Sequence, residues 1–200
     1  MTTLFFVYSD IYNQTLFNLS GTDIPVETKK NLNGYPYKLH KHWSQYNKSF
    51  FEYYAQFDFV LPEIWNVYLV DQTLPIIPFS HPLTIKMNGI ENNIGVIFHE
   101  MIHVFLYFNT MLHKDITYLY SPLKEEFPEA SSDLLDHLVV NAFTRGGMYQ
   151  ILGEEKTKFY IATQKNWQVG EVAKAWEVIE KKSFDITTSP LETLRNLCDK

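Results

Sequence analysis

The sequence predicts an α+β fold in one domain: a small mixed or antiparallel sheet with a backing helix in residues 1–90, then a mainly helical half in residues 91–200. Three observations carry this reading. The runs rich in β-branched and aromatic residues all fall before residue 90. An apolar run that begins near Asn92 is too extended for a strand and reads as a buried central helix. Beyond it the punctuation is helical and ends with "SPLE", where Ser189 can cap, Pro190 can take the first helical position and Glu192 can complete a capping box.

The first strand is "TLFFVYS" (3–9). The next stretch, "NQTLFNLSGTDIP", reads as irregular, with Gly21 and Pro25 as breakers. Leu39, Trp43, Tyr46, Phe50 and Tyr54 then recur at spacings of three and four, which predicts one amphipathic helix over 37–54 with its aromatic residues in the core. "IWNVYLVD" (64–71) is the strongest strand and "LTIKMN" (83–88) a second, short one. The linker between them carries Pro75, Pro78 and Pro82 and is expected to be ordered but not regular. After the apolar helix comes a loop with Tyr118 and Tyr120, then a helix with Pro128 at its first position that ends at Gly146. Helices over about 153–164 and 168–182 precede the last one.

Composition narrows the function classes. Fifteen Phe and 13 Tyr suit a bulky core or an aromatic-lined groove. A net charge of −6 without any Lys/Arg block argues against nucleic acid as the main partner, because phosphate neutralisation dominates such binding. Cys198 is the single cysteine, so no disulfide can form within the chain and a reducing compartment is the simpler expectation. Its place in a C-terminal helix reads as packing. The opening "MTTLFFVYSD" lacks a basic region and a long apolar run, and no stretch approaches the ~20 apolar residues of a membrane span. A cytoplasmic location without membrane contact is therefore expected.

Within "VIFHEMIHVF" (96–105) stands His99-Glu100-Met101-Ile102-His103. Helical spacing puts His99 and His103 one turn apart on one face, so both imidazoles can reach a single ion. Glu100 then points beside the ion, where it can hold and deprotonate a metal-bound water. Burying these three polar groups in a greasy helix without partners costs several kcal/mol, and one catalytic Zn2+ removes that cost. A catalytic zinc needs three protein ligands and an open position. The glycine and third histidine that some zinc helices carry further along are replaced here by Leu106 and Asn109. Glu129 is the candidate third ligand, in the first turn of the helix expected to open at Pro128. Asp133, one turn later on the same face, can receive the far ring N–H of a ligand histidine.

"HEMIH" followed by "EASSD" resembles the gluzincin clan of zinc metallopeptidases, the thermolysin-like enzymes with an HExxH helix and a glutamate helix bearing ExxxD. The resemblance runs from His99 to Asp133 and implies a zincin-like fold. It also implies His99, His103 and Glu129 as ligands, Glu100 as general base and Asp133 as orienter of His99. The implied function is a zinc endopeptidase that hydrolyses peptide bonds through a zinc-bound water activated by Glu100. The peptide or protein substrate would then lie extended along an edge strand just before the active-site helix, the place of 83–88.

Several other residues compete for roles. His137 lies two turns beyond Glu129 and can replace it as ligand or stabilise an oxyanion. His113, Tyr118 and Tyr120, in the loop between the two ligand helices, are candidate oxyanion donors, and Arg145 a candidate clamp on substrate. Asp136, Glu125 and Glu126 read as solvated charges, while His40, His42 and His81 default to structure.

Other functions remain in competition. An SprT-like DNA-associated protease has a similar helix, but Lys114 follows His113 where that group continues with glycine, and this chain is acidic. A catalytically silent binding or regulatory module on the same fold would carry the same motif, as would a protease of very narrow specificity.

Overall fold

The structure is a computed structural model that describes residues 3–21, 34–74, 78–167, 170–182 and 185–199. Pro25, Pro75 and the helix start expected near 168 lie outside them. The fold is α+β, and the chain divides into two compact units, Met1–Phe105 and Leu106–Lys200. The boundary between the units falls inside the apolar helix. The change from sheet-containing to helical sequence falls near 90 as expected, since the last strand ends at Lys86 and only helices follow from Ile90 among the described residues.

The first unit is built on a four-stranded mixed sheet of β1 (Thr3–Tyr8), β2 (Ile64–Val70), β3 (Phe79–Ser80) and β4 (Leu83–Lys86) in the order β1-β2-β4-β3. β1 and β4 run parallel to β2, while β3 pairs antiparallel with β4 at Leu83 and Thr84. The strand expected to offer an open edge to substrate is therefore an inner strand at those two residues, because the turn at His81-Pro82 folds β3 back onto it.

The segment read as irregular is helix α1 (Asp10–Ser20). Its asparagines are weak helix formers, but tertiary contacts outweigh propensity. Asn13 is buried and accepts a hydrogen bond from the Asp71 backbone N–H at 2.9 Å. Phe17 packs on Val70 and Leu74 with Tyr12 and Leu16 beside it. Ser9 caps the start by accepting from the Tyr12 N–H, and Gly21 ends the helix in the left-handed region (φ 70), which costs glycine little.

The helix expected over 37–54 is two, α2 (Tyr35–Trp43) and α3 (Asn47–Ala55). The chain turns at 44–46, and the Trp43 indole N–H donates to Asn47 Oδ1 across the break at 2.8 Å. The apolar stripe survives the turn, with Leu39, Trp43, Phe50 and Tyr54 all buried. They are core, as the spacing implies.

The apolar run forms α4 (Ile90–Met111). Among the described residues it is the one helix long and apolar enough to cross a membrane, yet 72% of its most apolar window is buried inside the protein. A buried core helix of this length meets the same test.

In the second unit α5 (Thr117–Glu126) replaces the expected loop, and α6 (Ser132–Leu152) packs against α5, α7 (Glu154–Trp167), α8 (Glu171–Lys182) and α9 (Pro190–Cys198). α6 begins four residues later than Pro128 (132 − 128), with Ser131 as its cap through a bond from the Leu134 N–H at 3.1 Å. It also runs through Gly146 and Gly147 and stops only at Gly153. Each interior glycine costs about 1 kcal/mol in propensity. Burial on every side from Leu138 to Met148 outweighs that cost. At α9 the expected cap is present, since Ser189 Oγ accepts from the Glu192 N–H at 3.3 Å.

Candidate metal centre

α4 carries two chemically different faces. Phe98 and Phe105, two turns apart, face the aromatic cluster of α2 and α3: Phe98 lies 4.8 Å from Phe50 and 6.0 Å from Trp43 between ring centroids. Phe105 lies 5.5 Å from Tyr54 and 5.9 Å from Phe50. Edge-to-face and tilted contacts of this kind fix the helix rotation about its axis. Near the start of α4 the buried Asn93 amide donates to the Lys86 carbonyl at 2.7 Å and to the Tyr35 hydroxyl at 2.6 Å, which ties the helix to the end of β4. Rotation and height being set, the His99–Glu100–His103 face is set as well.

On that face the imidazoles of His99 and His103 stand 5.1 Å apart between centroids, at 71° to each other. His99 is buried, and His103 is partly exposed. Glu100 is 6% exposed, and burial pushes its carboxyl up to about 7, with the positive charge of His103 partly offsetting the rise. A carboxyl that exchanges its proton near neutrality suits general-base work.

His137 lies on α6, one turn after Asp133. Its Nδ1 is 2.8 Å from the Asp133 backbone carbonyl and 3.3 Å from Asp133 Oδ1. Both partners accept, so Nδ1 carries the ring proton and the lone pair of the neutral ring sits on Nε2, the tautomer a metal needs there.

His99, His103 and His137 lie close enough to hold one metal ion, with donor atoms all within 4.8 Å of one another. Tetrahedral zinc with Zn–N near 2.05 Å sets its nitrogens roughly 3.3 Å apart. Side-chain rotation of about an ångström spans the difference, and three neutral imidazoles are a donor set that zinc accepts.

Glu129 is not in this cluster. The late start of α6 leaves it exposed in the turn that precedes the helix, so the shared helical face expected for Glu129 and Asp133 does not exist. Asp133 does meet a ring N–H, but that of His137 instead of His99.

The other candidates have structural occupations. His113 takes the left-handed position (φ 54) just past α4, where the following Lys114 N–H closes onto the Asn109 carbonyl at 3.0 Å. The Tyr120 hydroxyl donates to Asp136 Oδ1 at 2.9 Å, which also gives Asp136 a role beyond a solvated charge. Tyr118 is exposed on α5. Arg145 is 4% exposed and donates to the Thr193 hydroxyl, so it braces α6 against α9 where a substrate clamp was expected. Glu126 pairs with Lys182 at 2.8 Å, whereas Glu125 is exposed. His42 Nε2 reaches Glu91 at 3.1 Å, and the His40 ring meets Phe6 edge-on, as the structural reading of both anticipates.

The sequence offers His137 as a substitute for Glu129 or as an oxyanion stabiliser, and the first of these is the place where the structure puts it. The signal for it was present: a histidine one turn after an aspartate on the same helix face. No family model, no curated protein and no solved structure matches the chain.

Proposed function

We propose that the protein is a zinc-dependent metallopeptidase in which His99, His103 and His137 hold the ion and Glu100 is the general base. The convergence of three histidine donors, two of them from an HExxH helix, is the observation that carries this reading. It keeps the HExxH half of the gluzincin resemblance and replaces its glutamate ligand by a histidine.

A zinc ion at these donors would supply Lewis acidity, lowering the pKa of water towards neutrality and polarising a carbonyl oxygen. Glu100 sits one residue past His99 on α4 and accepts the proton of the attacking water. The same carboxyl then returns that proton to the leaving amine. Asp133 holds the His137 ring in its Nδ1–H tautomer. The buried aromatic wall formed by Trp43, Phe50 and Tyr54 on Phe98 and Phe105 keeps the opposite face of α4 dry and rigid.

Pairing of substrate with β4 along its whole length is not part of this reading, since β3 already occupies Leu83 and Thr84. The test is hydrolysis of unstructured peptides by the zinc-loaded protein and its Glu100→Ala variant. Undiminished cleavage by the variant would sink the assignment.

A further inference from the structure

We propose that Tyr120 is a positioning residue for the metal centre: by holding Asp136 it sets the rotation of α6, and so the place of the neighbouring donor His137. This rests on the three-histidine reading above and adds to it a residue that acts through its neighbour instead of on the ion. His99 and His103 share one helix, so their spacing is internal to α4. His137 is the donor from α6, and its place depends on how that helix is turned about its axis. Side chains reach about 5–6 Å from a helix axis, so a turn of about 10° moves a donor atom by about 1 Å. A metal site needs its donors held within about 0.5 Å of the productive geometry. His137 also stands only in the second turn of α6, near an end that begins at Ser132, and helix ends fray.

Apolar packing brings this end of α6 to α5 without fixing its rotation closely. Leu134, Leu135 and Leu138 of α6 are buried, as are Leu119 and Leu123 of α5, and the two helices pack on each other. Such contacts are non-directional. The direction comes from the Tyr120 hydroxyl, which donates from α5 to Asp136 Oδ1 at 2.9 Å in partly buried surroundings. A hydroxyl that donates to a carboxylate makes a charge-assisted bond, roughly twice as strong as a neutral one. Asp136 immediately precedes His137 and lies about 100° from it around the helix. A turn of α6 that moves the His137 donor therefore stretches the Tyr120–Asp136 bond by a similar amount. The Asp133 contacts orient the His137 ring from within its own helix. Tyr120 belongs to a different element and orients the helix itself.

The test uses the full chain and cobalt(II), whose visible absorption reports the geometry of the metal site. Wild type, Tyr120→Phe, Asp136→Ala and the double variant are titrated with cobalt, each shown to be folded by circular dichroism. Either single variant suffices where the other does not fold. Arg145→Ala is the control, because it loosens α6 from α9 instead of from α5. Tyr120→Phe and Asp136→Ala are each expected to bind cobalt about tenfold more weakly with an altered visible band, the low end for losing a group that orients a ligand. The double variant should lose no more than either single one, since all three remove the same bond. Asp136→Asn, which keeps a carbonyl oxygen for the hydroxyl to donate to, should recover most of the affinity. Arg145→Ala should be less stable yet keep wild-type cobalt affinity. Wild-type cobalt affinity and spectrum in a folded single variant overturn this inference and leave the metal-centre reading standing. Additive losses in the double variant overturn it too, by giving the two side chains separate roles. An equal fall in Arg145→Ala also overturns it, by reducing the effect to general stability. A wild-type chain that binds no cobalt removes the metal-centre reading and this inference together.

Discussion

Nδ1 of His137 lies 2.8 Å from the backbone carbonyl of Asp133, and because a carbonyl only accepts, that nitrogen carries the ring proton. The pairing joins the first turn of α6 to a member of the three-histidine cluster. It also divides the work of Asp133 into two parts, a main-chain acceptor that any residue supplies and a carboxylate 3.3 Å away that only an acidic residue supplies.

Asp133→Ala therefore keeps the main-chain bond and loses the carboxylate. Zinc affinity, measured by competition with a chromophoric chelator, is expected to fall by about tenfold, the low end for losing the partner of a ligand histidine. A loss above about 100-fold would mean that the carboxylate touches the metal itself.

Glu100→Gln keeps the volume and burial of the side chain and removes its basicity. Zinc content is expected to stay at the wild-type level while peptide hydrolysis falls by about 10²- to 10⁴-fold, the usual contribution of a general base. Steady-state kinetics on a zinc-loaded preparation checks both halves.

The metal-free protein should lose stability as pH rises. The Glu100 carboxyl ionises near 4.5 ordinarily and at about 7 in the fold, so between those values the unfolded chain binds fewer protons than the native one. Folding is then opposed by deprotonation, progressively from pH 4.5 to 7 and at a constant level above. Urea unfolding of metal-free wild type and Glu100→Gln should show the wild type losing ground across that window and a flat difference beyond it.

Arg145→Ala should act on stability and not on substrate. The guanidinium is 4% exposed and bonded to Thr193, so its removal leaves a cavity and a buried hydroxyl without its donor. A loss of about 3 kcal/mol in urea unfolding is expected, the scale of breaking a buried polar pair. KM for a peptide substrate should stay unchanged at temperatures where the variant is folded.

Much of this was legible in the sequence, for identifiable reasons. β1, β2, β4, α4 and α9 follow from local pattern: β-branched and aromatic runs, an unbroken apolar run, and a Ser-Pro-x-Glu cap. β3 does not, because Phe79 and Ser80 lie in the proline-rich linker read as irregular and become a strand only by pairing with Leu83 and Thr84. α1 was not legible, because Asn13 and Phe17 are stabilised by Asp71, Val70 and Leu74, far away in the chain. The start of α6 was misread because Pro128 and Ser131 both offer an opening and only packing chooses between them. With that four-residue difference (132 − 128), it is His137 and not Glu129 that lies close to His99 and His103. The HExxH pair needed no such long-range information, since its geometry is internal to one helix.

The central claim is most directly tested by zinc stoichiometry in purified wild type, His137→Ala and Glu129→Ala, with circular dichroism confirming that each is folded. The account predicts one zinc per chain in wild type and in Glu129→Ala, and loss of most of it from His137→Ala. Retained zinc in His137→Ala together with its loss from Glu129→Ala would contradict the account and restore the glutamate as ligand.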